Sequence, residues 1–188
     1  MKICIFYSSP KLGDLVLQLP FFRAIATHYK TKVSICINQH ISIKKILEKQ
    51  DYIDSVIENP FRRGKFFLID VFSLVKKLRD KNFNYAFIFE KTKGPALACK
   101  ISGIKKIFGF GIGSQKYLVN KSVKLKKEDL RFNYTKQSIM FLNKLDISFN
   151  FNSKFLILDC KDQNDLLKRY SSLPKPWICL GVDSTEVN

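Results

Sequence analysis

Residues 2–29 read KICIFYSSPKLGDLVLQLPFFRAIATHY, and this stretch decides the fold. It opens with an apolar run of strand length, residues 2–7, and continues through a loop of Ser, Pro and Gly. Beyond the loop, apolar side chains recur at steps of three and four residues, at Leu15, Leu19, Phe22, Ala26 and Tyr29. That spacing predicts an amphipathic helix, so the stretch is typical of the first strand and helix of an α/β sheet.

The same alternation continues along the chain. Apolar runs of strand length lie at 33–37, 54–58, 85–89 and 105–108, and segments of helical spacing at 41–49, 68–78, 95–102 and 133–145. The helix over 68–78 is predicted to bury one apolar stripe, formed by Leu68, Phe72, Val75 and Leu78. Because strands alternate with helices, the sequence predicts an α/β fold in which helices flank a Rossmann-like parallel sheet.

The chain is predicted to divide near residue 147. Residues 1–147 hold the sheet, and the helix over 133–145 closes it. Residues 148–188 hold a polar linker, a charged helix at 162–170 and, after two prolines, a strand of buried type at 177–182. A strand that opens a new unit cannot bury itself alone, so we interpret 148–188 as a linker and the truncated start of a second domain.

Composition narrows the class of protein. An apolar fraction of 46% with 13% aromatic residues excludes a disordered chain, and no apolar run reaches the roughly 18 residues that cross a bilayer. No signal peptide is found at the start, which predicts a cytoplasmic protein. The five cysteines are scattered singly, and we expect reduced thiols in the core.

The net charge of +17 indicates an anionic partner, such as a phosphorylated lipid, a nucleic acid or a nucleotide sugar. A second interpretation stays open. Lys, Ile, Asn and Phe are abundant together, a combination that AT-rich coding produces without selection for any ligand.

Most sequence motifs that mark metal-binding or nucleotide-binding sites are missing. His28 and His40 match no metal-binding spacing, so no metal is implied. No cofactor is expected either. Gly109, Gly111 and Gly113 fit neither a P-loop nor a dinucleotide fingerprint, and they predict a turn.

The loop of residues 8–14 follows the first strand, where open parallel sheets bind their ligands. Gly13 is expected to allow a tight turn there. Asp14, at the mouth of the next helix, is either a helix N-cap or a functional carboxylate, and Leu17 stands where a capping box needs Glu or Gln. Pro20 is expected to kink that helix or delay its start.

These residues resemble the bacterial ADP-heptose:lipopolysaccharide heptosyltransferase family. The shared pattern is the first strand, then Gly13-Asp14, the proline six residues on and Arg23-Ala24 after it. Further matches are found at 52–57, at 96–110 and at 177–185, so the resemblance spans nearly the whole chain.

The resemblance implies the N-terminal domain of a GT-B fold and an inverting, metal-independent glycosyltransferase. Asp14 then corresponds to the proposed general base, since the acceptor hydroxyl must lose its proton as it attacks. Positions that match the acceptor site are Lys11, Gly13, Arg62, Arg63 and Lys65. Positions that match hydroxyls at the donor diphosphate are Ser184 and Thr185.

The expected partners are accordingly a nucleotide-sugar donor, an anionic glycolipid acceptor and, by peripheral contact, the inner membrane surface. Nucleic acid is not expected, because most Phe and Tyr residues fall in strands or helical stripes rather than beside Lys and Arg on an exposed face. Two alternatives stay open: an inactive fragment of such an enzyme, and a non-enzymatic basic module that binds nucleic acid.

Overall fold

The first strand, β1 (Ile3–Phe6), lies inside a six-stranded parallel sheet. Ile3 and Ile5 belong to the core on one face, and Cys4 and Phe6 belong to the core on the other. A strand that is apolar at every position needs cover on both faces, because alternate side chains point in opposite directions. The predicted parallel sheet with helices on both faces is confirmed.

The structure, a computed structural model, describes residues 1–8, 12–38, 41–61, 67–123, 129, 133–150, 157 and 160–172. After β1 the elements are α1 (Leu12–His28), β2 (Val33–Ile37), α2 (Ile41–Glu48), β3 (Ile53–Glu58), α3 (Phe67–Arg79), β4 (Tyr85–Ile88), α4 (Gly94–Ile101), β5 (Lys106–Gly109), a 3₁₀ helix (Gly113–Tyr117), β6 (Lys121–Ser122), α5 (Tyr134–Asn143) and α6 (Cys160–Arg169). The strand order is β3-β2-β1-β4-β5-β6, and every neighbouring pair is parallel.

The chain divides into two compact units, Met1–Ile157 and Leu158–Asn188. The first contains the whole sheet. Of the second, the structure describes α6, which confirms the charged helix expected near 162–170. The strand predicted at 177–182 lies outside the described residues, and the domain boundary near residue 147 stays a prediction.

Helices from two parts of the chain cover the two faces. The core on one face takes its helical side chains from α1, α2 and α5, and the core on the other takes them from α3 and α4. Phe141 of α5 belongs to the first core. The centre of its ring lies 4.8 Å from that of Phe89 and 5.2 Å from that of Phe110. Asn133 caps α5, because its side chain accepts a hydrogen bond of 2.9 Å from the backbone nitrogen of Lys136.

Helix α1 buries the predicted stripe, with Tyr29 only partly covered, and it continues through Pro20. The expectation that Pro20 delays the helix is wrong, since α1 already begins at Leu12. Phe21 and Phe22 are fully buried beside the proline. Their burial contributes about 1.5–3 kcal/mol each, which offsets the roughly 3 kcal/mol that an interior proline costs.

Helix α3 shows a second departure from the sequence analysis. Val75 and Leu78 of the predicted stripe are buried, but Leu68 and Phe72 are exposed. The helix carries two apolar stripes, and the one that packs on the sheet is formed by Val71, Leu74, Val75 and Leu78. That stripe continues to the last turn, whereas the stripe containing Leu68 and Phe72 stops at Ser73 and Lys76.

Three cysteines, Cys4, Cys36 and Cys99, are free thiols in the core, as predicted. Burial is the main cause that raises the pKa of each thiol well above its ordinary value. Over the residues that the structure describes, no helix is long and apolar enough to cross a membrane. Within the same residues, no group of three or more His, Cys, Asp or Glu side chains could hold a metal ion.

The glycine segment after β5 is a turn, as predicted. Gly111 has φ of +66° and Gly113 has φ of +55°, values that favour glycine. They differ in their surroundings. A Cβ atom on Gly111 would lie 2.4 Å from Cβ of Ser122 in β6, whereas nothing lies within 4 Å of one on Gly113.

We therefore expect Gly111→Ala to destabilise the fold more than Gly113→Ala. Positive φ costs an alanine about 1–2 kcal/mol at either position, and the clash with β6 should cost Gly111→Ala roughly 1–3 kcal/mol more. Urea unfolding followed by circular dichroism measures both free energies. Equal losses of unfolding free energy in the two variants would show that Ser122 of β6 does not clash with a side chain at position 111.

Candidate functional site

The sheet has its topological switch point at β1. From β1 the chain moves outward to β2 and β3 on one side, and then returns to β4 on the other side. Helix α1 leaves β1 toward one face, and α4 follows β4 on the opposite face. The carboxyl ends of β1 and β4 therefore border a crevice, which is where open α/β sheets bind ligands.

Polar residues follow four neighbouring strands at this edge. Ser8 comes after β1, Asn38 after β2, Asn59 after β3 and Glu90 after β4. Parallel strands end at the same edge of a sheet, so four segments distant in sequence bring their polar side chains together there. We call Ser8, Asn38, Asn59, Glu90 and the nearby Thr92 the switch-point cluster.

Hydrogen bonds join the cluster around Ser8. The Ser8 hydroxyl donates to Oε1 of Glu90 and accepts from Nδ2 of Asn59 at 2.7 Å. Nδ2 of Asn38 donates to the Ser8 carbonyl oxygen at 2.7 Å. Oγ1 of Thr92 donates to Oε2 of Glu90 at 3.1 Å. Both oxygens of the Glu90 carboxyl group are thus held by hydroxyl groups.

A buried glutamine fixes the backbone of the cluster. Nε2 of Gln115 donates to the carbonyl oxygens of Glu90 at 2.9 Å and Thr92 at 2.8 Å, while its Oε1 accepts from the nitrogen of Gly111 at 2.8 Å. Gln115 is fully buried in the 3₁₀ helix between β5 and β6. The glycine turn therefore positions the segment that carries Glu90.

Burial raises the pKa of the Glu90 carboxyl group above its ordinary value of 4.5, because desolvation disfavours the charged form. The hydrogen bonds from Ser8 and Thr92 act in the opposite direction, since they stabilise the carboxylate. Desolvation is the larger effect. A second polar side chain of the cluster is also incompletely satisfied: the buried Oδ1 of Asn38 has no hydrogen-bond partner among the described residues.

The cluster forms part of the wall of a cleft with a volume of about 410 Å³. Polar groups of Ser8, Asn38, Glu90 and Thr92 line it together with Phe61, Phe67, Lys93 and Gly94. The Nζ atom of Lys93 lies 5.2 Å from the centre of the Phe67 ring, within cation–π range. The cleft therefore offers apolar ring surface, hydroxyl and carboxyl oxygens, and a cation.

Two of the predicted site residues lie within the described chain. Asp14 is partly buried in the first turn of α1, as its third residue, and so lies past the N-cap position. Gly13 precedes it inside the helix. The expected tight turn at Gly13 is wrong, because its φ is not positive and α1 has already begun.

Neither Asp14 nor Gly13 is among the described residues that line the cleft. Both lie at the start of α1, on the same edge of the sheet as the cluster. The other predicted site residues, Lys11, Arg62, Arg63, Lys65, Ser184 and Thr185, lie outside the described residues. Their roles stay predictions.

Sequence analysis missed the switch-point cluster, although a signal was present. A polar residue follows each of the first four strands within two positions, and Glu90 is a carboxylate directly after the apolar run of residues 85–89. The same rule that drew attention to the loop of residues 8–14 applies to all these strand ends.

The fold is similar to that of solved glycosyltransferases. A glycosyl transferase family 9 structure from Veillonella parvula DSM 2008 superposes with a TM-score of 0.68 at 14% identity, over 91% of this chain and 49% of that one. E. coli ADP-heptose lps heptosyltransferase II gives 0.63 at 16% identity, over 91% and 51%. E. coli heptosyltransferase WaaC, solved with ADP-2-deoxy-2-fluoro heptose, gives 0.60 at 14% identity, over 81% and 51%.

The chain spans about half the length of these structures. Neither a protein-family model nor a curated protein matches the sequence. At such low identity the likeness shows the fold, and at that level it confirms the resemblance to one half of the heptosyltransferases.

The variant Glu90→Gln tests the raised pKa of Glu90 through the pH dependence of the free energy of unfolding. The raised pKa means that folded Glu90 holds its proton above pH 4.5, where the unfolded chain has lost it. The stability of the parent relative to Glu90→Gln should therefore be greatest at low pH and fall as pH rises from 4.5 through the raised pKa. Urea unfolding between about pH 4 and pH 8 measures this difference.

Ser8→Ala serves as the companion variant. It removes a donor that lowers the pKa of Glu90, so the fall in stability should start at the same pH and extend to higher pH. A difference between the parent and Glu90→Gln that stays constant with pH would contradict the raised pKa.

Proposed function

We propose that the chain is the acceptor-binding part of a glycosyltransferase that moves a heptose-type sugar from an ADP donor to an anionic lipopolysaccharide core. The observation that carries the proposal is a polar and aromatic cleft at the switch point of a sheet shared with solved heptosyltransferases. A cleft at this place is the default ligand site of such a sheet.

The composition of the cleft fits a phosphorylated sugar. Phe61 and Phe67 offer ring surface to the apolar face of a sugar ring, while Glu90 and Thr92 offer oxygens to its hydroxyl groups. Asn38 holds the wall of the cleft in place, because its Nδ2 donates to the carbonyl oxygen of Ser8. Lys93 supplies positive charge for a phosphate or carboxylate.

Asp14 is the base in this proposal. The oxygen of an acceptor hydroxyl forms a bond to the anomeric carbon, and the bond from that carbon to the diphosphate oxygen breaks on the opposite side. ADP leaves with the electron pair, and the hydroxyl proton passes to the Asp14 carboxylate. The transfer inverts the anomeric carbon and uses no metal ion. A positioned base of this kind contributes about 10²–10⁴ in rate.

The proposal divides the remaining predicted residues between two substrates. Lys11, Gly13, Arg62, Arg63 and Lys65 belong to the acceptor site. Ser184 and Thr185 belong to the donor diphosphate site. In the alternative, an inactive fragment of such an enzyme would still bind the acceptor but would not transfer sugar.

Asp14→Ala should lower the transfer rate by at least about a hundredfold and leave acceptor affinity nearly unchanged. The rate is measured in a transferase that carries its donor-binding half, with Asp14→Asn as the variant of equal size. Asp70→Ala is the matched control, because Asp70 also lies in the first turn of a helix, α3. Its transfer rate should stay within about twofold of the parent. If Asp14→Ala lost only helix stability and kept its rate, Asp14 would be structural.

Acceptor binding can be measured on this chain by itself. A phosphorylated inner-core oligosaccharide should shift the amide resonances of Ser8, Asn59, Glu90 and Gly94, and its affinity should fall as salt rises. Replacing Arg62, Arg63 and Lys65 together by Ala should flatten that salt dependence, because fewer ionic contacts remain.

Duplex DNA is the control ligand for the acceptor experiment. Non-specific complexes lie near 10⁻⁴–10⁻⁶ M at physiological salt. Tighter binding to DNA than to the oligosaccharide, with no shift at the cleft, would favour the basic nucleic-acid module instead.

A further inference from the structure

A lysine and a tyrosine meet on the other side of the segment that carries Glu90. Nζ of Lys91 lies 5.5 Å from the centre of the Tyr134 ring, within cation–π range. Glu90 lines the cleft with Phe67, whereas Lys91, the next residue, reaches α5 on the opposite face of the sheet. Successive residues of an extended chain point to opposite faces, so this segment contributes to two surfaces. We call Lys91 and Tyr134 the lysine–tyrosine pair.

The helix that carries Tyr134 runs beside α1. The Ser138 hydroxyl of α5 donates to Oε1 of Gln18 in α1 at 2.6 Å, so the two helices lie side by side. One turn further along each helix, Phe22 and Phe141 pack on the same ring, that of Phe89, with ring centres 5.8 and 4.8 Å away. Helices α1 and α5 therefore run in the same direction.

This alignment brings Tyr134 near Asp14. Asp14 lies one turn before Gln18 in α1, and Tyr134 lies one turn before Ser138 in α5. Residues four apart share one side of a helix, so Asp14 and Tyr134 lie on the facing sides of α1 and α5. The axes of packed helices are about 8–10 Å apart, so one sugar residue can contact both side chains.

The fold does not require the side chain of Tyr134. It is 52% exposed, the Asn133 side chain already caps α5, and Phe141 and Leu142 supply the contacts of α5 with the core. A single exposed apolar side chain needs no explanation. An exposed ring beside both a lysine and a candidate base is a different case, because rings bind the apolar face of a sugar and lysines bind acidic groups.

We propose that the lysine–tyrosine pair holds, next to Asp14, the acidic sugar whose hydroxyl group reacts. The Tyr134 ring packs against the apolar face of that sugar, and Lys91 binds a phosphate or carboxylate on it. The cleft holds a neighbouring sugar of the same acceptor. The inference rests on the proposed function, because it assigns further residues to the acceptor of the same reaction.

Binding of the phosphorylated inner-core oligosaccharide to the full chain tests the pair. The resonances of Asp14, Lys91 and Tyr134 should shift together with those of the cleft. Tyr134→Ala should weaken binding about tenfold, because the apolar contact is lost. Tyr134→Phe keeps the ring and should stay within about twofold of the parent. Lys91→Met should weaken binding at least about fivefold at low salt and less at high salt, as expected for an ionic contact.

A second lysine–tyrosine contact supplies the matched control. Nζ of Lys116 lies 4.8 Å from the centre of the Tyr117 ring, and Tyr117 is 71% exposed. Lys100 in the last turn of α4 donates to the Tyr117 carbonyl oxygen at 3.2 Å, whereas α4 begins beside the cleft at Gly94. Tyr117→Ala and Lys116→Met should therefore change the affinity less than about twofold. Circular dichroism verifies that each variant is folded.

The same oligosaccharide without its phosphates identifies the acidic group. If Lys91→Met no longer weakens binding of this ligand, Lys91 binds a phosphate; if the loss of affinity remains, Lys91 binds a carboxylate. Either result supports the pair. No loss of affinity with either oligosaccharide would overturn the role of Lys91.

Three further outcomes would contradict the inference. Unchanged affinity of Tyr134→Ala, with the cleft resonances still shifting, would overturn the pair and leave the proposed function intact. Absence of binding by the parent would overturn the proposed acceptor, and the pair with it. If ADP shifted the Tyr134 resonances and the oligosaccharide did not, the pair would contact the donor rather than the acceptor.

Discussion

The reversal of strand order at β1 is the constraint on which the site depends. Right-handed crossovers from β1 through β3 place α1 and α2 on one face, and the return to β4 places α3 and α4 on the other. Helices that depart to opposite faces cannot fill the space between the two strand ends. The backbone leaves a crevice there, and the side chains that border it come from β1, β2, β3 and β4.

Those polar side chains form hydrogen bonds with one another, and these bonds fix the positions from which they could contact a ligand. Ser8 donates to the Glu90 carboxyl group and accepts from Asn59, so one hydroxyl links the ends of three strands. Buried polar groups cost free energy unless they are paired. A network that is nearly complete holds its members in fixed positions; within this cluster, the buried Oδ1 of Asn38 has no hydrogen-bond partner among the described residues.

The local sequence pattern was enough to predict the sheet, because β1 and β2 are apolar runs and the helix after each of them carries an apolar stripe. It failed at α3, because the predicted stripe combined members of two apolar stripes, and packing on the sheet buries only the stripe that continues to the last turn. It also failed at Glu90, whose carboxyl group is held by the nearby Thr92 and by Ser8, which lies 82 residues away in sequence. Asp14 was identified through its motif alone, and it lies in the first turn of α1.

A buried polar pair ties the beginning of the chain to a much later helix. The Ser138 hydroxyl of α5 donates to Oε1 of Gln18 in α1 at 2.6 Å, over a sequence separation of 120 residues. Part of the cover of α1, the helix that carries Asp14, therefore comes from α5, which follows β6 in the chain. A shortened version that stops after β6 would keep β1 to β6 and still expose Gln18 and the Phe89 side of the core. The smallest useful expression product thus has to include α5, and ribosomes must make about three quarters of the chain before the helix bearing Asp14 reaches its final environment.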